Sequence, residues 1–370
     1  DPEMSRGLGD VYKRQMKKRM NIVMVALLTI LASCSTNYQM VTRVHKDGTV
    51  EKEVWALADS AFLAGDSNHN PFLFRLGKDW EVEELDSCIE TDFFGETGKL
   101  NLKACKTRNG LEGMDFFSAK EKWMRPLAVP KEKLEKHFRW FYTYYTYTCD
   151  FQEIKDKGPI PMDKYLSKAE QLFLLQGKAD GYAGMNGVEL INSLEDTEQR
   201  FLEWFYHTQF EMSYGIVEHF LKKTPAELTY LSRLEKDKEE IFRSDGNRKK
   251  EMECSPEYIC RLLDKRYQTA VFGNLYKDYA RQMEQLFEEK CIATQLFEYQ
   301  IKFELSMPGE LLSSNTVSAE DGMLVWKVDA YRVLADNYRL QAESRVMNIW
   351  AFVLTGLLLA VALILFIPTR

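Results

Sequence analysis

Glu203, His207 and Glu211 are spaced four residues apart. On a helix this stacks carboxylate, imidazole and carboxylate on one face, a spacing able to offer three ligands to a divalent metal. Asp196, Arg200 and Glu218 lie near the same stripe, opposite the apolar residues. A solvated polar face accounts for the whole set, and no metal is expected. His45, His69 and His137 stand in unrelated contexts. GxSxG, HExxH, P-loop and dinucleotide-glycine patterns are absent. Gly184-Met185-Asn186-Gly187 reads as a phosphate nest or, in preference, as a plain turn and helix start. No set of residues marks a catalytic site, and no cofactor is implied.

Cysteine chemistry offers more. Besides Cys34 the chain holds Cys88, Cys105, Cys149, Cys254, Cys260 and Cys291. An even count in an exported protein admits disulfides. A turn centred on Glu96-Thr97 sets Phe93 opposite Leu100 and Cys88 opposite Cys105, within bonding range of each other. Cys254 and Cys260 flank a helix start at Ser255-Pro256, roughly one turn apart. Zinc is the rival reading, but no CxxC pair is present. Cys149 and Cys291 lack an activating neighbour and read as structural rather than redox-active.

Export is read from the N-terminal segment. Lys17, Lys18 and Arg19 precede an apolar run over residues 22–32 that is too short to span a bilayer. Leu31-Ala32-Ser33-Cys34 follows and resembles the lipobox of bacterial lipoproteins. That resemblance implies cleavage before Cys34 and diacylglycerol, with an acyl chain such as palmitate, on its thiol and amino group. Residues 1–15 lie before the Met16 start, resemble a translated sequencing-adapter remnant, and are set aside. Residues 348–367 form a charge-free apolar run with Trp350 near its outer end, read as a C-terminal transmembrane helix. Together these readings imply membrane anchors at both ends. They put the chain at the bacterial cytoplasmic (inner) membrane with its ectodomain in the periplasm.

The formal net charge is −7. The first 33 residues carry six Lys/Arg against three Asp/Glu, so the rest is net −10, a poor match for nucleic acid or anionic headgroups. With 45% hydrophobic and 13% aromatic residues, the chain has enough apolar surface for a sizeable core.

The elements must position whatever the chain binds. Residues 38–57 read as a hairpin around Asp47-Gly48, and residues 72–75, 80–89 and 99–107 as further strands. The aromatic-rich stretch 137–149 reads as one long buried strand, in preference to a stacking surface for sugars or bases. From residue 163 the period is helical. A helix over 188–222 carries an apolar face of Ile191, Leu194, Phe201, Phe205, Met212, Ile216 and Phe220. A capping box at Thr224-Pro225-Ala226-Glu227 opens a second helix to about 243. A third runs from Ser255-Pro256 to about 290. Residues 297–307 then alternate strictly in period two. Strands follow around the Asp321-Gly322 turn and over 338–343.

The segments around Asp47-Gly48, Met307-Pro308-Gly309, Ser314-Asn315, Asp321-Gly322 and Trp326 resemble LppM-type bacterial lipoproteins. In that family a β-rich domain sits between an acylated cysteine and a C-terminal membrane helix; the long helical stretch here departs from it. The expected fold is α+β. A split antiparallel β domain (residues 34–150 and 294–345) is interrupted by a helical insertion (160–293), after a signal peptide (16–33) and before a transmembrane helix (346–368). N- and C-terminal strands are expected to share one sheet, because each set alone is too small to bury its face. The expected function is a non-enzymatic envelope scaffold, sensor or partner-binding module, with a protein partner on the helical insertion. A periplasmic hydrolase-like enzyme with an unrecognised site, or a lipid- or peptide-binding domain, is the alternative.

Overall fold

Apolar and polar residues alternate on both sides of Asp47-Gly48, and Gly48 takes the positive φ of 99° that the turn demands. The flanking segments form antiparallel strands β1 (Thr36–Val44) and β2 (Thr49–Ala56), with Val44 opposite Val50. In this computed structural model the described residues are 36–110, 116–182, 184–224, 229–246 and 254–366. The signal segment, Cys34 and the capping box at Thr224-Pro225-Ala226-Glu227 fall wholly or mainly outside them. The chain divides into two compact units, one made of Thr36–Glu153 with the chain from Tyr299 onward, the other containing Ile154–Glu298.

The first unit holds two sheets. The long hairpin β3 (Glu81–Phe93) and β4 (Glu96–Asn109) extends the β1–β2 pair through β4. The second hairpin, β5 (Lys131–Arg139) and β6 (Tyr142–Phe151), belongs to the other sheet. The chain returns as β7 (Tyr299–Ser306), β8 (Glu310–Ser314), β9 (Ala319–Glu320), β10 (Met323–Asp329) and β11 (Tyr338–Met347). The sheet orders are β3-β4-β2-β1-β7-β10-β9 and β5-β6-β11-β8. N- and C-terminal strands therefore do share a sheet. The join is the parallel pair β1–β7, with Met40 beside Phe303, so the larger sheet is mixed. A parallel neighbour requires a long crossover, and the intervening chain supplies it.

The two sheets pack face to face on Val50, Val54, Leu102, Tyr145, Tyr147, Phe151, Phe303 and Leu340, all buried. Phe151 meets Phe303 edge to face at 6.4 Å between ring centres. Period two explains which residues these are, since every second side chain of each strand points inward. On β7 the polar alternates are buried too. Lys302 lies 2.6 Å from Glu320 and 3.5 Å from Glu304, and Glu304 accepts from Gln39 at 2.9 Å. The strand is covered on both faces, and its polar row survives burial because each charge is paired.

In the second unit, α1 (Lys168–Gln176) and α2 (Gly187–Leu221) open with capping boxes, Ser167 with Glu170 and Asn186 with Glu189. The 35-residue α2 buries Phe201, Phe205, Phe210, Ile216 and Phe220. It shares an aromatic core with α3 (Leu231–Ser244), α4 (Pro256–Tyr267) and α5 (Val271–Lys290). The segment expected as one helix from Ser255-Pro256 is two. Gln268 turns left-handed at φ 50°, and Asp264 then caps α5 by accepting from Phe272 and Gly273 backbone N–H groups at 3.0 and 2.8 Å.

Two further expectations change. The stretch 137–149 is not one strand, because Trp140-Phe141 turns it back into the β5–β6 hairpin. The charged segment Lys131–Arg139 is an edge strand, where charge guards an open ladder. Phe72–Arg75 contributes an isolated bridge, Phe74 to Ala119.

The apolar C-terminal run forms a helix, Ile349–Phe366, of 18 residues. Asn348 ties its start to the β5–β6 turn, donating to the Arg139 and Trp140 carbonyls at 3.0 and 3.2 Å. Among the described residues no helix is long and apolar enough to cross a membrane. The expected transmembrane helix is corrected accordingly, and with it the membrane partnership and the inner-membrane, periplasm-facing address.

Candidate functional site

β5, β6 and β11 lie side by side, and the register decides which side chains share their outer face. Lys131 stands opposite Asp150, which stands opposite Arg339; Lys133 pairs with Thr148, and Glu135 with Thr146. These residues, with Glu132, line a groove of about 380 Å³. Arg339 grips Asp150 with two donors, Nε at 2.7 Å and Nη2 at 3.0 Å, and the carboxylate raises the guanidinium pKa. Lys133 pairs with Glu135 and, with His137, holds that carboxyl below its usual range. Thr146 and Thr148 are half-buried between the charges. Further along the same face, Arg139 lies over the Tyr144 ring at 5.5 Å and Arg345 over Tyr142 at 4.7 Å.

Beneath the groove the face turns inward. Glu132 Oε2 accepts from Tyr147 OH at 2.9 Å, and its Oε1 sits 2.7 Å from Lys52 Nζ. That second approach is off hydrogen-bond alignment, so it acts as charge attraction. Lys52 also donates to Thr42 Oγ1 at 2.6 Å, and its ammonium lies 5.0 Å from the Phe303 ring centre and 5.5 Å from that of Phe116. Burial, then the Glu132 charge, pushes the Tyr147 hydroxyl and the Cys149 thiol well up. Both stay protonated, which makes Cys149 a poor nucleophile.

The helical unit gathers its own polar groups. His207 Nδ1 is 2.8 Å from Tyr165 OH, its Nε2 is 3.7 Å from Glu211, and its ring stacks on Phe242. Glu211 is held by Lys238. The two residues are thus engaged in a hydrogen-bonded, ion-paired stripe. No group of three metal-ligating side chains occurs among the described residues. Asp245 accepts from Tyr206 at 2.5 Å and Tyr258 at 2.8 Å; burial, first of all, raises both phenols. Asn186 is spent on the α2 cap rather than on a phosphate nest.

The described cysteines form no disulfide. The β3–β4 turn is at Phe94-Gly95, with φ of 58° and 97°, not at Glu96-Thr97. Phe93 therefore faces Glu96, and Cys105 faces Glu81 and Glu53. Cys88 falls where the register shifts, between Glu84 and Ile89, and is exposed. Cys254 and Cys260 are buried as thiols on either side of the α4 start. A two-residue turn and a bulge moved the register, and neither leaves a signal in cysteine spacing.

Sequence reasoning missed Lys52, Glu132 and the groove. Lys52 does carry a signal: it shares parity with Val50, Val54 and Ala56, the inward set of β2. The groove carries none, because Arg339 reaches it from 189 residues beyond Asp150.

No family model matches the chain, and no curated protein matches it. Among solved structures, the NMR structure of the folded domain of LppM from Mycobacterium tuberculosis is similar at 8% identity, over 85% of this chain and 91% of that one, with a TM-score of 0.24. A likeness at that score carries no argument. The resemblance to anchored LppM-type lipoproteins is therefore not upheld as a recognition. The double-anchored envelope role built on it does not stand either, since no spanning helix occurs among the described residues.

Proposed function

We propose that the β unit is a small-ligand binding module and that its site is the groove on the outer face of β5, β6 and β11. The observation that carries the reading is the convergence of Lys131, Lys133 and Arg339 with Thr146, Thr148 and Asp150 around one concavity of about 380 Å³. That volume falls in the ~300–1,000 Å³ range of small-molecule sites. The polar groups are held on strands rather than loops, and the Arg339–Asp150 fork is fixed by two hydrogen bonds. Both features favour a preorganised surface.

A panel of polar metabolite-sized compounds titrated against the full chain by saturation-transfer NMR tests the reading. The control is the double variant Thr146→Val, Thr148→Val, which removes the hydroxyls while keeping β-branched residues in the strand. Saturable binding that weakens in the variant is expected. Binding unchanged in the variant, or no binding across the panel, overturns it.

A further inference from the structure

We infer that the groove selects a small zwitterion of the amino-acid class, one carrying an ammonium and a carboxylate together; this rests on the groove being a ligand site. The lining carries both signs. Lys131, Lys133 and Arg339 supply positive charge, and Glu135 and Asp150 supply negative charge on the same outer face. The third carboxylate, Glu132, is turned to Lys52 and Tyr147 and is not available. No aromatic or large aliphatic side chain lines the groove, so it has nothing to offer an apolar ligand.

Hydrogen-bonding capacity leads to the same class. A guanidinium carries five N–H donors, and Arg339 commits Nε and Nη2 to Asp150. Donors are left over for a ligand carboxylate, beside the Lys131 ammonium. A carboxylate accepts about four hydrogen bonds, and Asp150 takes two from Arg339, so acceptor sites are left for a ligand ammonium. Thr148 and Thr146 follow Asp150 along β6 on the same face and offer donors or acceptors to the rest of the ligand. A bare anion leaves the remaining acceptor sites of Asp150 unused, and a bare cation leaves the remaining donors of Arg339 and the Lys131 ammonium unused. A zwitterion engages both, and the preference is a difference in hydrogen bonds made.

Three probes that share the alanine skeleton and differ in charge decide the matter: L-alanine, its N-acetyl derivative (an anion) and L-alaninamide (a cation). Each is titrated against the full chain by saturation-transfer NMR at fixed low salt. L-Alanine is expected to bind about tenfold more tightly than either monopolar probe, the scale of a single hydrogen bond to a charged group. Lys131→Gln removes an exposed charge at the rim without setting a second carboxylate opposite Asp150. It should weaken L-alanine about tenfold, and circular dichroism checks that the variant is folded. Asp150→Asn should weaken L-alaninamide and L-alanine but not the N-acetyl derivative. Equal binding of L-alanine and the N-acetyl derivative, or of L-alanine and the amide, overturns the zwitterion assignment while leaving a ligand site in place. Binding of other panel compounds at the threonines but of none of the three probes does the same. Absence of any groove-dependent binding overturns the ligand site itself.

Discussion

Lys52 Nζ lies 2.7 Å from Glu132 Oε1 in the middle of the sandwich, and both side chains are shut off from water. The pair joins β2 of one sheet to β5 of the other. Breaking such a pair leaves one uncompensated charge in an apolar interior, at a typical cost of ~3–5 kcal/mol. Lys52→Met and Glu132→Leu should each destabilise the β unit by about that amount. The double variant should recover much of the loss, because no charge is then stranded. Urea midpoints of the four proteins read the cycle; additive single and double effects would argue against coupling.

Gly309 sits between β7 and β8 at φ 79°, where an added Cβ would run into the Arg345 carbonyl and approach Val346 Cγ2 at 2.9 Å. Gly95 has a similar φ of 97° but open space around it. Gly95→Ala is therefore expected to cost about 1 kcal/mol, the left-handed penalty alone. Gly309→Ala adds a clash with rigid backbone and should cost at least twice that, ~2–4 kcal/mol. Thermal unfolding of both variants checks the order.

Arg200 binds Glu170 through Nη2 at 2.5 Å, joining α2 to the start of α1, and this hydrogen bonding is the main cause of a Glu170 pKa lowered to about 2. A carboxyl whose folded pKa lies below its unfolded value stabilises above the unfolded value, near 4.5, and loses that contribution as pH falls toward 2. The thermal midpoint of the wild type should drop more steeply between pH ~4.5 and ~2 than that of Glu170→Gln. Parallel curves would show that the pair does not couple to folding.

Asp59 Oδ2 lies 2.8 Å from His69 Nδ1 on the surface, and Asp59 also caps Phe62. The Asp59 carboxylate raises the His69 pKa, while the Phe62 N–H first and His69 second lower that of Asp59. The raised imidazole contributes stability below its ordinary pKa of 6.5 and loses it as pH rises through the folded value. The lowered carboxyl acts in the other direction, losing its contribution below its ordinary 3.8. A proton NMR titration of His69 should give a midpoint above 6.5 that falls in Asp59→Asn.

Local pattern alone located most elements. Alternation in period two placed β7 and β11, the Asp47-Gly48 and Asp321-Gly322 pairs placed two turns, and the apolar period of α2 placed a helix bounded within one residue of 188–222. These signals are legible because φ, ψ and side-chain direction repeat within a few residues, whatever the chain meets later. The sharing of one sheet by β1 and β7 was also legible, since neither strand set could bury its face alone.

What covers each face was decided only in three dimensions. The polar alternates of β7 look solvent-facing in sequence, yet Lys302 and Glu304 are buried because Glu320 and Gln39 arrive from other strands. Cys88 and Cys105 look opposed until a turn at Phe94-Gly95 and a bulge reset the register. The Lys52–Glu132 pair and the Arg339–Asp150 groove join residues that alternation assigns to a face but not to a partner. Strand periodicity repeats every two residues and fixes direction, whereas pairing partners are chosen by long-range burial and charge compensation. No short window of sequence contains that information.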